Sequence, residues 1–213
     1  MKFQIIGLGP GHRDYILPLA KRAIEEAQLI ICAKRHEEAI RQAGLAHEST
    51  YFIHMEGQIP QIPEIIRGHW QDLEVAVVVS GDPGFYSLLK FLSKHFDRNA
   101  YEVIPGISSL QYAFMKVGIP HQTAYMGSVH GRETDIAEIM GQYHVAGFLT
   151  DSKWTPAAIA DELIKNKIQD VLLHAGEHLS YDHERWVTGT PEEMKDQEFD
   201  ALSVVIIERQ DQK

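Results

Sequence analysis

Val75-Ala76-Val77-Val78-Val79-Ser80-Gly81-Asp82-Pro83-Gly84-Phe85-Tyr86 runs from five apolar residues, four of them β-branched, straight into turn chemistry. A strand wetted on one face alternates polar and apolar side chains. A run with no alternation reads instead as a strand covered on both faces, as in a parallel sheet flanked by helices. Working outward, further strands are predicted at 3–7, 29–32, 101–104, 124–129, 145–149, 171–175, 185–188 and 202–208, with the run above filling 74–80. Helices are predicted between them at 15–27, 37–43, 63–70, 84–95, 108–117, 132–142, 156–166 and 191–195. This alternation is the pattern of an α/β fold. Gly118-Ile119-Pro120 stops a helix and starts a strand, which predicts two α/β domains, residues 1–118 and 119–213. The nearness of 185–188 to 202–208 predicts antiparallel pairing in the second half.

Composition narrows the function. A chain of 213 residues, 44% hydrophobic and 23% charged, can bury a core without disulfides. Cys32 has no partner for an intramolecular bridge, so a reducing, intracellular setting is expected. No apolar run approaches the roughly 18 residues of a membrane span, and the first residues lack a signal peptide's apolar core and cleavage site. A cytoplasmic protein with no membrane partner is the expectation. Twenty basic against thirty acidic side chains give a net charge of −10, the wrong sign for a protein that neutralises a nucleic-acid backbone. Nine acids and four bases fall in residues 182–213, where interleaved apolar residues suggest a solvated face.

Three loops could carry chemistry. Gly7-Leu8-Gly9-Pro10-Gly11 follows the first strand, and its glycines allow a tight turn and close backbone approach. It is no dinucleotide fingerprint, because His12 stands where G-x-G-x-x-G needs glycine and Lys34-Arg35 follows the second strand where an acid is expected. An ordinary strand–helix turn explains it as well as a ligand contact does. Ser80-Gly81-Asp82-Pro83-Gly84 lies just past the buried strand, where open α/β sheets bind ligands. Asp82 reads either as a turn and helix cap or as a carboxylate aimed out of the strand end. Pro105-Gly106-Ile107-Ser108-Ser109 offers hydroxyls that cap a helix or hold a ligand's polar groups. Twelve histidines show no metal-ligand spacing, and no acyl-transfer triad or nucleotide-triphosphate loop occurs. His174, inside an apolar strand, reads as a satisfied core residue.

Taken together and in this order, the three loops resemble the tetrapyrrole (corrin/porphyrin) methyltransferase family. The resemblance continues through Phe148-Leu149-Thr150-Asp151 and Gly176-Glu177 to Ser203–Arg209, and so covers essentially the whole chain. Pro105–Ala113, Ser128-Val129-His130-Gly131-Arg132, Glu177, Glu184-Arg185 and Gly189-Thr190 are most similar to its cobalt-precorrin-7 C5-methylating branch. The resemblance implies two α/β domains with S-adenosylmethionine (SAM) in the interdomain cleft. Carried over position by position, it implies cofactor contacts at Leu8, Pro10, Ser80, Gly81, Asp82, Phe85, Ser108, Ser109, Leu149 and Ala175. It places the glycine loop, Gly9 and Gly11 included, on the macrocycle side.

The implied substrate is a polycarboxylate cobalt corrinoid, so a net acidic protein needs a local basic patch. Arg13, Arg35, His130, Arg132 and Arg185 are the substrate-binding candidates, with Lys34, His36 and Lys153 beside them. Scattered solubilising charge is the plainer explanation for any one of these. An electron-rich corrinoid carbon can attack the SAM methyl directly, so no catalytic side chain is assigned. The resemblance favours a homodimer, and the chain length leaves the C15 methylation and decarboxylation of the same route to a separate protein. Two rivals remain: an NADP-dependent reductase, suggested by Lys34-Arg35 after the glycine loop, and a tetrapyrrole carrier without activity.

Overall fold

The structure, a computed structural model, describes residues 2–131 and 134–210. The chain divides into two compact units, residues 1–108 and 109–213.

The first unit is a five-stranded parallel sheet in the order β3-β2-β4-β1-β5. Its strands are β1 (Phe3–Gly7), β2 (Leu29–Cys32), β3 (Tyr51–His54), β4 (Val75–Val79) and β5 (Tyr101–Ile104). The apolar run is β4, and all five of its residues are buried. Alternate residues enter two cores. On one face Ile6, Ile30, Ala76 and Val78 meet Ala20, Ala23 and Ile24 of α1 (Pro18–Glu26) and Ile40 of α2 (Lys34–Gln42). On the other, Phe3, Ile5, Ile31, Val75 and Val77 meet Ile62 and Ile66 of α3 (Ile62–His69) and Leu92 of α4 (Leu89–Leu92). The strand order sends the β1–β2 connection past β4 and the β4–β5 connection past β1. Adjacent strands β1 and β4 therefore send their connections in opposite directions, the arrangement at whose carboxyl ends open α/β sheets bind ligands.

Two elements differ from the sequence reading. Tyr51–His54 was not expected as a strand, yet it forms the sheet edge, with Tyr51 69% exposed. The helix expected over 84–95 contracts to α4. Its start is consumed by a turn in which Gly84 N donates to Asp82 Oδ1 and Tyr86 adopts φ 50°.

The second unit has a mixed sheet in the order β6-β7-β10-β8-β9. Its strands are β6 (Tyr125–Ser128), β7 (Val145–Leu149), β8 (Val171–Glu177), β9 (Arg185–Gly189) and β10 (Ser203–Arg209). Only β6 and β7 run parallel; β10 pairs antiparallel with β7 and β8, and β8 with β9. The expected antiparallel character is present, but β9 and β10 do not pair, because β8 lies between them. Helix α5 (Ser109–Val117) packs on this sheet: a Cβ at Gly147 of β7 would stand 2.7 Å from Phe114 and 3.2 Å from Leu110. That packing moves the division between compact units to 108/109, ahead of the helix, instead of 118/119 after it. The helix expected from 132 is α6 (Ile136–Gln142), started by Asp135, whose side chain accepts from Glu138 N at 2.8 Å. Helix α7 (Pro156–Lys165) begins on a Thr155 cap with proline in the first turn, and α8 (Pro191–Met194) on a Thr190–Glu193 capping box. No helix among the described residues is long and apolar enough to cross a membrane.

Candidate functional site

In the first unit the loops that leave β1, β4 and β5 are joined backbone to backbone. Leu8 N donates to Val79 O at 2.9 Å, Gly9 N to Gly81 O at 3.2 Å, and Gly81 N to Gly9 O at 2.8 Å. A Cβ at Gly7 would lie 2.5 Å from Gly81 O and 2.7 Å from Gly106 N, and one at Gly106 would fall on Gly81 O. Glycine is needed here because main chain packs on main chain. Gly9 and Gly81 also take φ values of 85° and 62°. Asp82 completes the join. Its carboxylate accepts from Gly84 N at 2.7 Å and from Gly106 N at 3.2 Å, tying the loop after β4 to the loop after β5.

Ser80, at the carboxyl end of β4, is met by α2. Arg35 Nη2 donates to Ser80 Oγ at 2.8 Å, and His36 Nε2 lies 2.9 Å from the same oxygen. The amide of Lys34 donates to Glu56 Oε1 at 2.7 Å, which fixes the start of the helix. Burial, with the charge of Arg35 second, pushes His36 down to about 4, so its ring is neutral near pH 7. Cys32 is no nucleophile, because burial, then Glu37 and Glu56, push its thiol up to about 12.

The remaining candidates fall as follows. Leu8 and Ser108 are buried, Pro10, Gly11 and Phe85 are half-buried, and Arg13 is exposed. Ser109 opens α5. In the second unit Leu149 ends β7 and accepts from Val129 N at 3.0 Å. Ala175 is fully buried mid-strand in the core and offers no side-chain surface to a ligand. His130 is exposed, on a turn held by Asp151. The Asp151 carboxylate accepts from Trp154 N at 2.7 Å, Lys153 N at 2.9 Å and Gly131 N at 3.0 Å, bonds that keep it below the usual carboxylate range. Arg132 lies outside the described residues. Arg185 is engaged structurally: Nη1 donates to the buried Glu177 at 2.6 Å and to Glu198 O at 3.1 Å.

Sequence reasoning named Glu184 only as a family match, and its setting explains the residue. Tyr112 Oη donates to it at 2.6 Å, Trp186 Nε1 at 3.0 Å, and Ser180 N adds a third bond, while Lys116 Nζ lies 2.9 Å away. Desolvation alone would raise its pKa, but these donors outweigh it and bring the carboxyl down to about 2. His174 is half-buried and lies outside the core cluster that takes its neighbours Leu173 and Ala175: Nδ1 is 3.0 Å from Thr188 Oγ1, but Nε2 has no hydrogen-bond partner, so the satisfied core role expected for it is met only in part. Among the described residues no three His, Cys, Asp or Glu side chains gather as metal ligands would.

The family model for tetrapyrrole (corrin/porphyrin) methylases matches residues 2–195. A Salmonella typhimurium protein named cobalt-precorrin-7 C(5)-methyltransferase is 29% identical over 204 residues, 96% of this chain and 98% of its own. Among solved structures, the precorrin-6Y methylase of Archaeoglobus fulgidus superposes with TM-score 0.73 at 22% identity, covering 99% of this chain and 98% of that one. A uroporphyrin-III C-methyltransferase of Thermus thermophilus, complexed with S-adenosylhomocysteine, gives TM-score 0.75 at 20% identity, covering 98% and 92%.

Proposed function

The chain belongs to the tetrapyrrole (corrin/porphyrin) methylase family, and from that premise we propose that it transfers one methyl group from SAM to C5 of cobalt-precorrin-7. The observation that carries this reading is the nearly end-to-end likeness to a relative of that name. SAM, when bound, supplies an electrophilic methyl group. The loops at the strand ends suit such a cofactor: Gly7 and Gly106 let main chain pack on main chain and fix the three loops at the carboxyl end of the sheet, where open α/β sheets bind their ligands.

What the protein contributes is placement. Asp82 holds two loops in register, and Ser80 presents a hydroxyl at the strand end. Fixing two reactants in line is worth up to about 7–11 kcal/mol, so no activated nucleophile is required. A polycarboxylate approaching an acidic protein needs local cations, and Arg13, Lys34, His130 and Arg132 are the groups we assign to it. Arg185 is better read as support for Glu177. We also read the protein as a cytoplasmic homodimer whose product passes to a separate C15-methylating, decarboxylating protein.

Mass spectrometry of the product from purified protein, SAM and cobalt-precorrin-7 tests the reading. A gain of one methyl with the acetate carboxyl retained is expected. Two methyl groups with loss of carbon dioxide would sink the single-site reading, and NADPH consumption without methyl gain would restore the reductase.

A further inference from the structure

The Ser80 contacts fix more than position. His36 is buried, with 6% of its surface exposed, and its Nδ1 has no hydrogen-bond partner. Arg35 can only donate hydrogen bonds. It donates from Nε to His36 Nε2 at 3.4 Å and from Nη2 to Ser80 Oγ at 2.8 Å. A ring nitrogen that receives a guanidinium N–H carries no proton of its own, so Nε2 is the acceptor nitrogen. Ser80 Oγ, 2.9 Å from that nitrogen, must then turn its hydrogen toward His36. The neutral ring then keeps its one proton on Nδ1.

We propose that His36 is a positioning residue which takes the Ser80 hydrogen and leaves Oγ an acceptor-only atom beside the Arg35 guanidinium, a pair that receives the ammonium-and-carboxylate end of an amino-acid-bearing ligand. A ligand meets Ser80 with a donor and Arg35 with an anionic oxygen. An α-ammonium beside an α-carboxylate supplies both, and SAM carries that group. The assignment rests on the SAM reading above, and it moves Arg35 from the substrate to the cofactor.

Two measurements test it. Nitrogen NMR of the labelled free protein at neutral pH should show His36 with Nδ1 protonated and Nε2 bare; the opposite tautomer or a charged ring overturns the hydrogen-bond assignment. Calorimetry then compares S-adenosylhomocysteine with 5′-methylthioadenosine, which lacks the amino-acid end. His36→Leu and Ser80→Ala should weaken the first ligand by about tenfold or more and leave the second nearly unchanged, the loss expected for hydrogen bonds to charged groups. His36→Gln, whose amide oxygen can take the Ser80 hydrogen, should restore most of the affinity. Equal losses for both ligands, or none in a folded variant, would overturn the assignment alone. Failure of the wild type to bind either ligand would overturn the SAM reading and the assignment with it.

Discussion

Removing the Asp82 carboxylate tests whether the join between loops or a direct ligand contact is its business. In Asp82→Ala the amides of Gly84 and Gly106 lose acceptors that now stand at 2.7 and 3.2 Å. A hydrogen bond to a charged group contributes about 1.5–3 kcal/mol, and the half-buried setting and the long second bond favour the low end. The pair sums to about 2–3 kcal/mol. For a protein of this size that is roughly 4–12 °C in thermal midpoint. Asp82→Asn should fall between wild type and Ala, because its amide oxygen keeps one bond while its NH₂ faces another N–H. Thermal unfolding followed by circular dichroism reads the stability, and calorimetry with S-adenosylhomocysteine reads the site. Affinity should fall in step with stability across the two variants. An Ala variant that melts with the wild type yet no longer binds would show the carboxylate reaching the ligand, and would refute its role as a tie.

Gly106→Ala should cost roughly 2–4 kcal/mol and abolish binding, since its Cβ lands on the Gly81 carbonyl, whereas Gly141→Ala in α6, with nothing within 4 Å, should stabilise by up to about 1 kcal/mol; urea unfolding separates the two. Glu184 has a folded pKa near 2 against 4.5, so its stabilisation is present above pH 4.5 and lost as pH falls through 2. That window is worth about 3 kcal/mol, and Glu184→Gln should flatten the urea midpoint between pH 5 and 2. His36 acts earlier: depressed to about 4 from 6.5 by burial and Arg35, with Glu56 opposing, it costs the fold up to about 3 kcal/mol as pH falls from 6.5 to 4. His36→Gln should remove that slope, and an unchanged slope would show that the ring takes up its proton alike in the folded and unfolded chain.

The first unit was largely legible because its signals are local. Unalternating β4, the glycines after β1 and the Asp-Pro-Gly turn each declare themselves within a few residues. Edge strand β3 was missed because an edge needs only one buried face and four residues, and Tyr51-Phe52-Ile53-His54 is too short to show a period. The contacts that define the site were invisible for a different reason. Ser80 meets His36 across 44 positions of sequence, and Glu184 meets Tyr112 across 72. Neither separation leaves a spacing to read. Asp82 shows the intermediate case: its turn was foreseen, but its bond to Gly106, 24 residues away, changes what the carboxylate is for.

The place of β10 in the second sheet has a consequence for synthesis on the ribosome. All five strands of the first unit are complete by Ile104, so that sheet can close while the rest is still unmade. The second cannot. Val204–Ile207, at most 4% exposed, form the middle strand against which both β7 and β8 pair. Until that strand emerges, β6–β7 and β8–β9 are two separate ribbons with open apolar edges. From the end of β7 at Leu149 to Ile207, at roughly 5–20 residues per second, the interval is about 3–12 s. During it the nascent second unit is the part of the molecule that a chaperone would need to shield, and a stall between Glu177 and Ser203 would strand it in its most aggregation-prone form.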